Sequence, residues 1–159
     1  MGKSSLLNAL LGRRVARVSA TPGKTQHLNA FRVGPGYLVD LPGYGWARTS
    51  KAERGRLGRL VRDVIARRPA LSAVVWLLDI RHPPSDADHE MQDLLRTTER
   101  PTLVVLTKGD KFSRAARAKA VAARAHELGV PIDQLIATSS RSGEGIAELA
   151  ESIQAVLGR

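Results

Sequence analysis

Gly2-Lys3-Ser4 stands immediately before an apolar helical stretch, Ser5-Leu-Leu-Asn-Ala-Leu-Leu11, and that junction restricts the fold more than any other part of the chain. It matches the second half of the pattern G-x-x-x-x-G-K-[ST], in which a strand turns into a helix and backbone N–H groups cradle phosphates. Such a tripeptide also occurs by chance. Its weight comes from four further stations downstream, in this order: Thr25, Asp40-Leu-Pro-Gly43, Thr107-Lys-Gly-Asp110 and Thr138-Ser-Ser140. The first glycine of the pattern and the strand ahead of it find no residues before Met1. The chain is therefore expected to begin inside the phosphate loop and to lack its first strand.

Hydrophobic patterning predicts the remaining elements. Leu57, Leu60, Val61, Val64 and Ile65 recur at helical spacing, so residues 51–66 read as an amphipathic helix that Pro69 ends. Leu71–Asp79 and Thr102–Thr107 are nearly continuous apolar, β-branched runs, the mark of strands covered on both faces. Gln134–Thr138 repeats that mark weakly. Helices are expected at Asp86–Arg96, at Arg114–Leu128 with Ser113 as its N-cap and Gly129 as its stop, and at Gly145–Leu157. Leu28–Val33 and Tyr37–Leu41 flank Gly34-Pro-Gly36 as an antiparallel hairpin. Alternating strands and helices give an α/β fold, a mostly parallel, doubly wound sheet with one antiparallel edge strand. Residues 1–159 read as one domain. The absent strand falls at its centre, between Tyr37–Leu41 and Leu71–Asp79. Without it the chain as given is expected to fold marginally and to bind nucleotide poorly.

Composition narrows the partners. The chain has 159 residues, no cysteine and only two Trp, two Tyr and two Phe, so disulfides and thiolate metal sites are excluded and the core must be aliphatic. No run is long enough to span a bilayer, and a cytoplasmic, monomeric protein without membrane contact is expected. The net charge of +10 is unevenly placed: residues 1–70 hold 14 Lys and Arg against three acidic residues, while residues 71–159 are near neutral. That asymmetry points to a polyanionic partner such as RNA on the first half.

Each station supplies distinct chemistry. Lys3 is a point charge for the β- and γ-phosphates, and Ser4 offers a hydroxyl to Mg²⁺, which takes oxygen ligands and keeps several waters. Asp40, at a strand end, holds the same metal through water, while Gly43 lets a backbone N–H approach the terminal phosphate. Thr25, in a loop with Pro22 and Gly23, reaches the metal only when the γ-phosphate is present. Asp110 is acceptor-only, and guanine presents its N1–H and N2 amino group side by side, whereas adenine offers an acceptor and no amino group there. Lys108 can lay its aliphatic stem over the purine face. A backbone N–H within Thr138-Ser139-Ser140 can bond guanine O6.

These residues resemble the EngB/YihA family of bacterial GTP-binding proteins, of the class that includes TrmE, Era and EngA. The likeness spans the whole chain and rests on Pro22-Gly-Lys-Thr-Gln26, Asp40-Leu-Pro-Gly-Tyr-Gly-Trp46, Asp79-Ile-Arg-His-Pro-Pro84, Thr107-Lys-Gly-Asp110 and Thr138-Ser-Ser140. It implies a P-loop GTPase fold, GTP hydrolysis, and a role in late assembly of the large ribosomal subunit with a requirement in normal cell division and septation. It also implies nucleotide contacts at Gly2, Lys3, Ser4, Ser5, Gly23, Lys24, Thr25, Gln26, His27, Asp40, Leu41, Pro42, Gly43, Thr107, Lys108, Gly109, Asp110, Thr138, Ser139 and Ser140, with Mg²⁺ at Ser4, Thr25 and Asp40. Family members carry Gly-Arg-Ser-Asn-Val before Gly-Lys-Ser, and Met1 stands in the place of that valine. The potassium ion implied for the full-length protein belongs to that asparagine. Ras-like GTPases orient the attacking water with a glutamine after D-x-x-G; this chain has Tyr44 there, so no catalytic residue is assigned, and Arg81 and His82 receive no catalytic task. The competing expectation is a basic RNA- or ribosome-binding module with an incomplete, non-hydrolysing nucleotide site.

Overall fold

A computed structural model describes residues 2–12, 28–43 and 50–158. In chain order these form α1 (Lys3–Leu11), β1 (Asn29–Val33), β2 (Gly36–Asp40), α2 (Lys51–Arg67), β3 (Val74–Asp79), α3 (Asp86–Thr98), β4 (Thr102–Thr107), α4 (Arg114–Leu128), β5 (Leu135–Ala137) and α5 (Ile146–Leu157), with 3₁₀ turns at Gly109–Lys111 and Ile132–Gln134. The P-loop GTPase fold expected from the sequence is the one observed. Thr25, with Gly23, Lys24, Gln26 and His27, lies outside the described residues, as do Tyr44, Gly45 and Trp46.

Local chemistry sets the element ends. Ser50, Ser85 and Ser113 each accept a backbone N–H three residues on, capping α2, α3 and α4. Ser85 and Asp88 form a full capping box, a signal carried by Ser85 that a reading led by the acidic first turn passes over. Pro69 forces Arg68 out of the helical region, with φ −89° and ψ 110°, so α2 stops at Arg67. Gly129 closes α4 in the left-handed conformation, its N–H returning to the carbonyls of Ala125 and His126. β3 begins at Val74, three residues later than its apolar run suggests, because the Leu71 carbonyl is taken by the Arg100 guanidinium at 2.9 Å and pairing starts only at Val74 N–H to Pro101 O.

The strands form two sheets. β1 and β2 are an antiparallel hairpin; β3, β4 and β5 are parallel, in the order β3-β4-β5. Side chains alternate across the parallel sheet as the two-residue period requires. Trp76, Leu78, Val104, Leu106 and Leu135 face one way and join Val61, Ile65, Met91, Leu95 and Leu128 from α2, α3 and α4. Val105 and Ile136 face the other way and join Leu6 of α1 with Leu149 and Ile153 of α5. β4 lies between its neighbours and is covered on both faces, which explains its unbroken aliphatic run.

Among the described residues, β2 and β3 are not hydrogen-bonded to each other. Between them lies an apolar cavity of about 780 Å³, walled by Leu6 and Leu10 of α1, Val61 and Ile65 of α2, Val39 of β2 and Val75 of β3. The antiparallel edge strand expected from the sequence is thus part of a separate two-stranded hairpin.

α5 must start hard against the end of β5. Gly145 caps it at φ +70°, and a Cβ there would lie 2.1 Å from the Ala137 carbonyl oxygen. Gly143 has φ +80° with nothing within 4 Å of such a Cβ, so it isolates the backbone cost alone. Gly143→Ala should lose roughly 1–2 kcal/mol for a left-handed alanine. Gly145→Ala should lose clearly more, because a backbone carbonyl has to move as well. Urea denaturation of the two variants checks this; equal losses would show that α5 does not need the close approach.

Candidate nucleotide-binding site

The C-terminal ends of β3, β4 and β5 come out on one edge of the parallel sheet, because Asp79 pairs with Thr107 and Leu106 with Ala137 in register. Ligands of open α/β sheets bind at that edge. The N-terminus of α1 and the end of β2 meet there too, as the contact between Lys3 and Asp40 shows.

Gly2 is the N-cap of α1, at φ +84° and ψ 15°, and offers no side-chain cap. The first N–H groups of α1 are then free to face an anion. Lys3 turns back over the end of β2: its ammonium lies 2.6 Å from Asp40 Oδ1 and donates to the Leu41 carbonyl. Asp40 is only 6% exposed, and Pro42 beside it is buried. The two charges compensate each other where water is scarce.

Ser4 and Asp40 are both hard oxygen donors, the chemistry Mg²⁺ selects. The described residues hold no cluster of three His, Cys, Asp or Glu able to bind a metal by themselves. Mg²⁺ is commonly held by one or two protein groups plus substrate phosphates and water. Thr25, the third metal residue expected from the sequence, lies outside the described residues.

Thr107 and Thr138 are buried anchors: the Thr107 hydroxyl donates to the Leu78 carbonyl, and Thr138 donates both its N–H and its hydroxyl to the Leu106 carbonyl. Gly109 N–H donates to Thr138 O at 2.9 Å, and a Cβ on Gly109 would lie 3.3 Å from that oxygen. Only a glycine approaches so closely without displacing a neighbour. These bonds fasten the Thr107–Asp110 loop to the Thr138–Ser140 loop. Ser139 completes the fastening. Fully buried, it donates from its hydroxyl to Asp110 Oδ1 at 2.9 Å and accepts the N–H groups of Arg141 and Ser142. The hydrogen bond from Ser139 holds the Asp110 carboxyl below the ordinary carboxylate range. The acceptor-only form needed for guanine is therefore favoured. On the far side, Arg117 of α4 pairs with Glu144, tying α4 to the loop after β5.

The structure thus brings Lys3 at the start of α1 against Asp40 and Leu41, and Gly109 and Asp110 against Thr138 and Ser139. Asp79 carries a role that the sequence alone does not disclose. Burial pushes its carboxyl up, but hydrogen bonds from Arg81 and Lys108 outweigh this and hold it well below the usual carboxylate range. Its folded pKa lies under the unfolded value of about 4. This pairing therefore stabilises the fold above that pH and is lost as the pH falls toward the folded value.

A helix-borne phosphate loop, Asp-Leu-Pro-Gly and Thr-Lys-Gly-Asp, gathered at the strand ends of a doubly wound sheet, define a GTP-binding domain of the P-loop class. The family model for 50S ribosome-binding GTPases matches residues 1–108. A probable GTP-binding protein EngB of Desulfitobacterium hafniense is 42% identical over 160 residues, covering 99% of this chain and 80% of the relative. One from a Thermotoga species is 45% identical over 164 residues, covering 99% and 82%. The crystal structure of a probable GTP-binding protein engB superposes with a TM-score of 0.80 at 24% identity, covering 98% of this chain and 92% of that one. Era bound to MgGDPNP and 16S ribosomal RNA nucleotides superposes with a TM-score of 0.70 at 22% identity, covering 96% of this chain and 51% of that one. The chain belongs to the EngB family of GTP-binding proteins.

Replacing Ser139 by Ala should leave the Arg141 and Ser142 N–H groups without their acceptor and cost about 1–3 kcal/mol of stability. It should also let the Asp110 carboxyl titrate closer to its ordinary range. Denaturant unfolding and NMR titration of the carboxyl carbon check both; an unmoved Asp110 titration would remove Ser139 from that role.

Proposed function

We propose that this protein binds GTP and GDP with Mg²⁺, hydrolyses GTP, and acts as a nucleotide switch in assembly of the large ribosomal subunit in the cytoplasm, with a consequent requirement in cell division and septation. The observation that carries the nucleotide reading is the Ser139–Asp110 hydrogen bond. It aims an ionised, acceptor-only carboxylate from the loop after β4 beside the loop after β5, so that one edge of guanine is read by Asp110 and its O6 by a backbone N–H near Ser139 or Ser140.

In this reading Lys3, which pairs with Asp40 in the structure, would face the β- and γ-phosphates, and Ser4 and Asp40 would hold the metal. Mg²⁺ supplies charge neutralisation on the phosphates being separated. The water-positioning group comes from outside the described residues, from a monovalent cation or from a partner. Thr25 and the residues around it would respond to the γ-phosphate. The protein acts as a monomer without membrane attachment; among the described residues no helix is long and apolar enough to cross a bilayer.

Support for an RNA-rich partner comes from α2. Arg56, Arg59 and Arg62 lie on its outer face and are all exposed, while Leu57, Val61, Val64 and Ile65 on the other face are buried. The description of the matching family as ribosome-binding, and the ribosomal RNA in the Era complex, agree with that basic face.

Two experiments on the protein test the reading. Asp110→Asn should weaken GTP and favour xanthosine triphosphate, whose C2 carbonyl suits an amide donor, with a switch in preference of ~10⁴ or more, as sites built on hydrogen bonds give. Unchanged GTP binding would remove Asp110 from the site. Neutralising Arg56, Arg59 and Arg62 together should lower affinity for large-subunit RNA and reduce its salt slope by roughly one unit per lost phosphate contact. If neither moves, those arginines are only a solvated face.

A further inference from the structure

Asp79-Ile-Arg-His-Pro-Pro84 is the one motif the nucleotide reading leaves without a task. Asp79 ends β3, and its carboxylate accepts four hydrogen bonds. The Arg81 side chain gives two, Nε to Oδ1 at 2.9 Å and Nη2 to Oδ2 at 2.8 Å, and the Arg81 backbone N–H gives a third at 3.1 Å. The fourth comes from across the sheet: Lys108 Nζ donates to Oδ2 at 2.8 Å. Asp79 is opposite Thr107 in the parallel register, and Ile80 N–H donates to Thr107 O at 3.2 Å, so the backbones carrying the two partners are fixed relative to each other.

Lys108 leaves the backbone at φ +66°, one of only two non-glycine residues with positive φ among those described. A long, flexible side chain on a strained backbone position is costly to keep in one conformation unless its far end is held. Asp79 holds it. The stem consequently crosses from the base-reading loop toward α1, and its Cε lies 3.9 Å from where a Cβ on Gly2 would be. Lys108 therefore spans the cleft between the phosphate loop and the Asp110 loop.

We propose that Asp79, braced by Arg81, is a positioning residue for the nucleotide: it anchors the Lys108 ammonium so that the lysine stem stands ready as one wall of the base site before the ligand arrives. This deepens the proposed function and rests on it. Preorganisation of this kind raises affinity by removing an ordering cost, without a new contact to the ligand. Asp79 itself touches no nucleotide in this role. The competing role is a plain brace between strand ends. Such a brace would change stability and leave nucleotide affinity alone.

The test measures fluorescent GDP binding and thermal unfolding of the protein and its variants. Asp79→Asn should weaken GDP by about 10-fold, the scale of one lost charge-assisted hydrogen bond. Asp79→Glu, which keeps the carboxylate, should recover most of that loss. Lys108→Met, which keeps the stem and deletes the ammonium, should weaken GDP similarly, and the double variant should be no weaker than the weaker single one, the signature of a shared interaction. A lower melting temperature with unchanged GDP affinity in Asp79→Asn would overturn the proposal and leave the brace. Fully additive losses would overturn it too. If the parent protein binds no guanine nucleotide, or Asp110→Asn fails to alter base preference, the nucleotide reading itself falls and this proposal with it.

Discussion

The polar groups that would read the base owe their positions to the parallel pairing of β4 with β3 and β5. Because the three strands run the same way in fixed register, Asp79, Thr107 and Thr138 emerge at one edge, and the groups of the base site are attached within a few residues of that edge. The pairing in turn depends on burial of β4 on both faces, with Val105 and Leu106 both fully buried. An aliphatic strand of this kind has no face to give to water, so helices must cover it on both sides. α1 and α5 serve one side, and α2, α3 and α4 the other.

From that edge outward the site is assembled by short, local fastenings rather than by a deep hydrophobic pocket. Ser139 is held by backbone and holds Asp110; Gly109 leans on Thr138; Asp79 takes Lys108; Lys3 covers Asp40. The Ser139–Asp110 and Lys108–Asp79 pairs are hydrogen bonds to charged groups in partly buried positions, where they are stronger than neutral ones and shielded from solvent competition. An arrangement with charges already compensated is poised to exchange partners. Lys3 and Asp40 would do so when phosphate and metal arrive.

How much of this was legible in the sequence depended on the physical origin of each feature. Continuous aliphatic runs at 102–107 and the helical spacing of Leu57 to Ile65 predicted elements well, because burial on both faces or on one stripe is written directly in residue order. Ser113 and Gly129 fixed the two ends of α4 through capping chemistry that needs no tertiary contact. The onset of β3 at Val74 was not legible, since it depends on Arg100, distant in sequence, taking the Leu71 carbonyl. The sequence predicts β1 and β2 as a hairpin but places them at the edge of one sheet; that they form a two-stranded sheet of their own, with a roughly 780 Å³ cavity beside β3, is visible only in three dimensions. In the candidate site, Asp110 could be proposed from base chemistry alone. Ser139 as its hydrogen-bond donor, and Asp79 as the anchor of Lys108, could not, because each joins residues 29 positions apart through side-chain geometry.

In the proposed reading, a guanine nucleotide would lie across the strand ends, with its phosphates at the start of α1 and its base between the loops after β4 and β5. Backbone amide NMR of the protein titrated with GDP, and separately with ADP, tests that placement most directly. GDP should produce shifts concentrated at Gly2 to Ser5, Lys108 to Asp110 and Thr138 to Ser140, and ADP none of comparable size. Equal responses to the two nucleotides, or shifts clustered in the cavity between β2 and β3, would refute it.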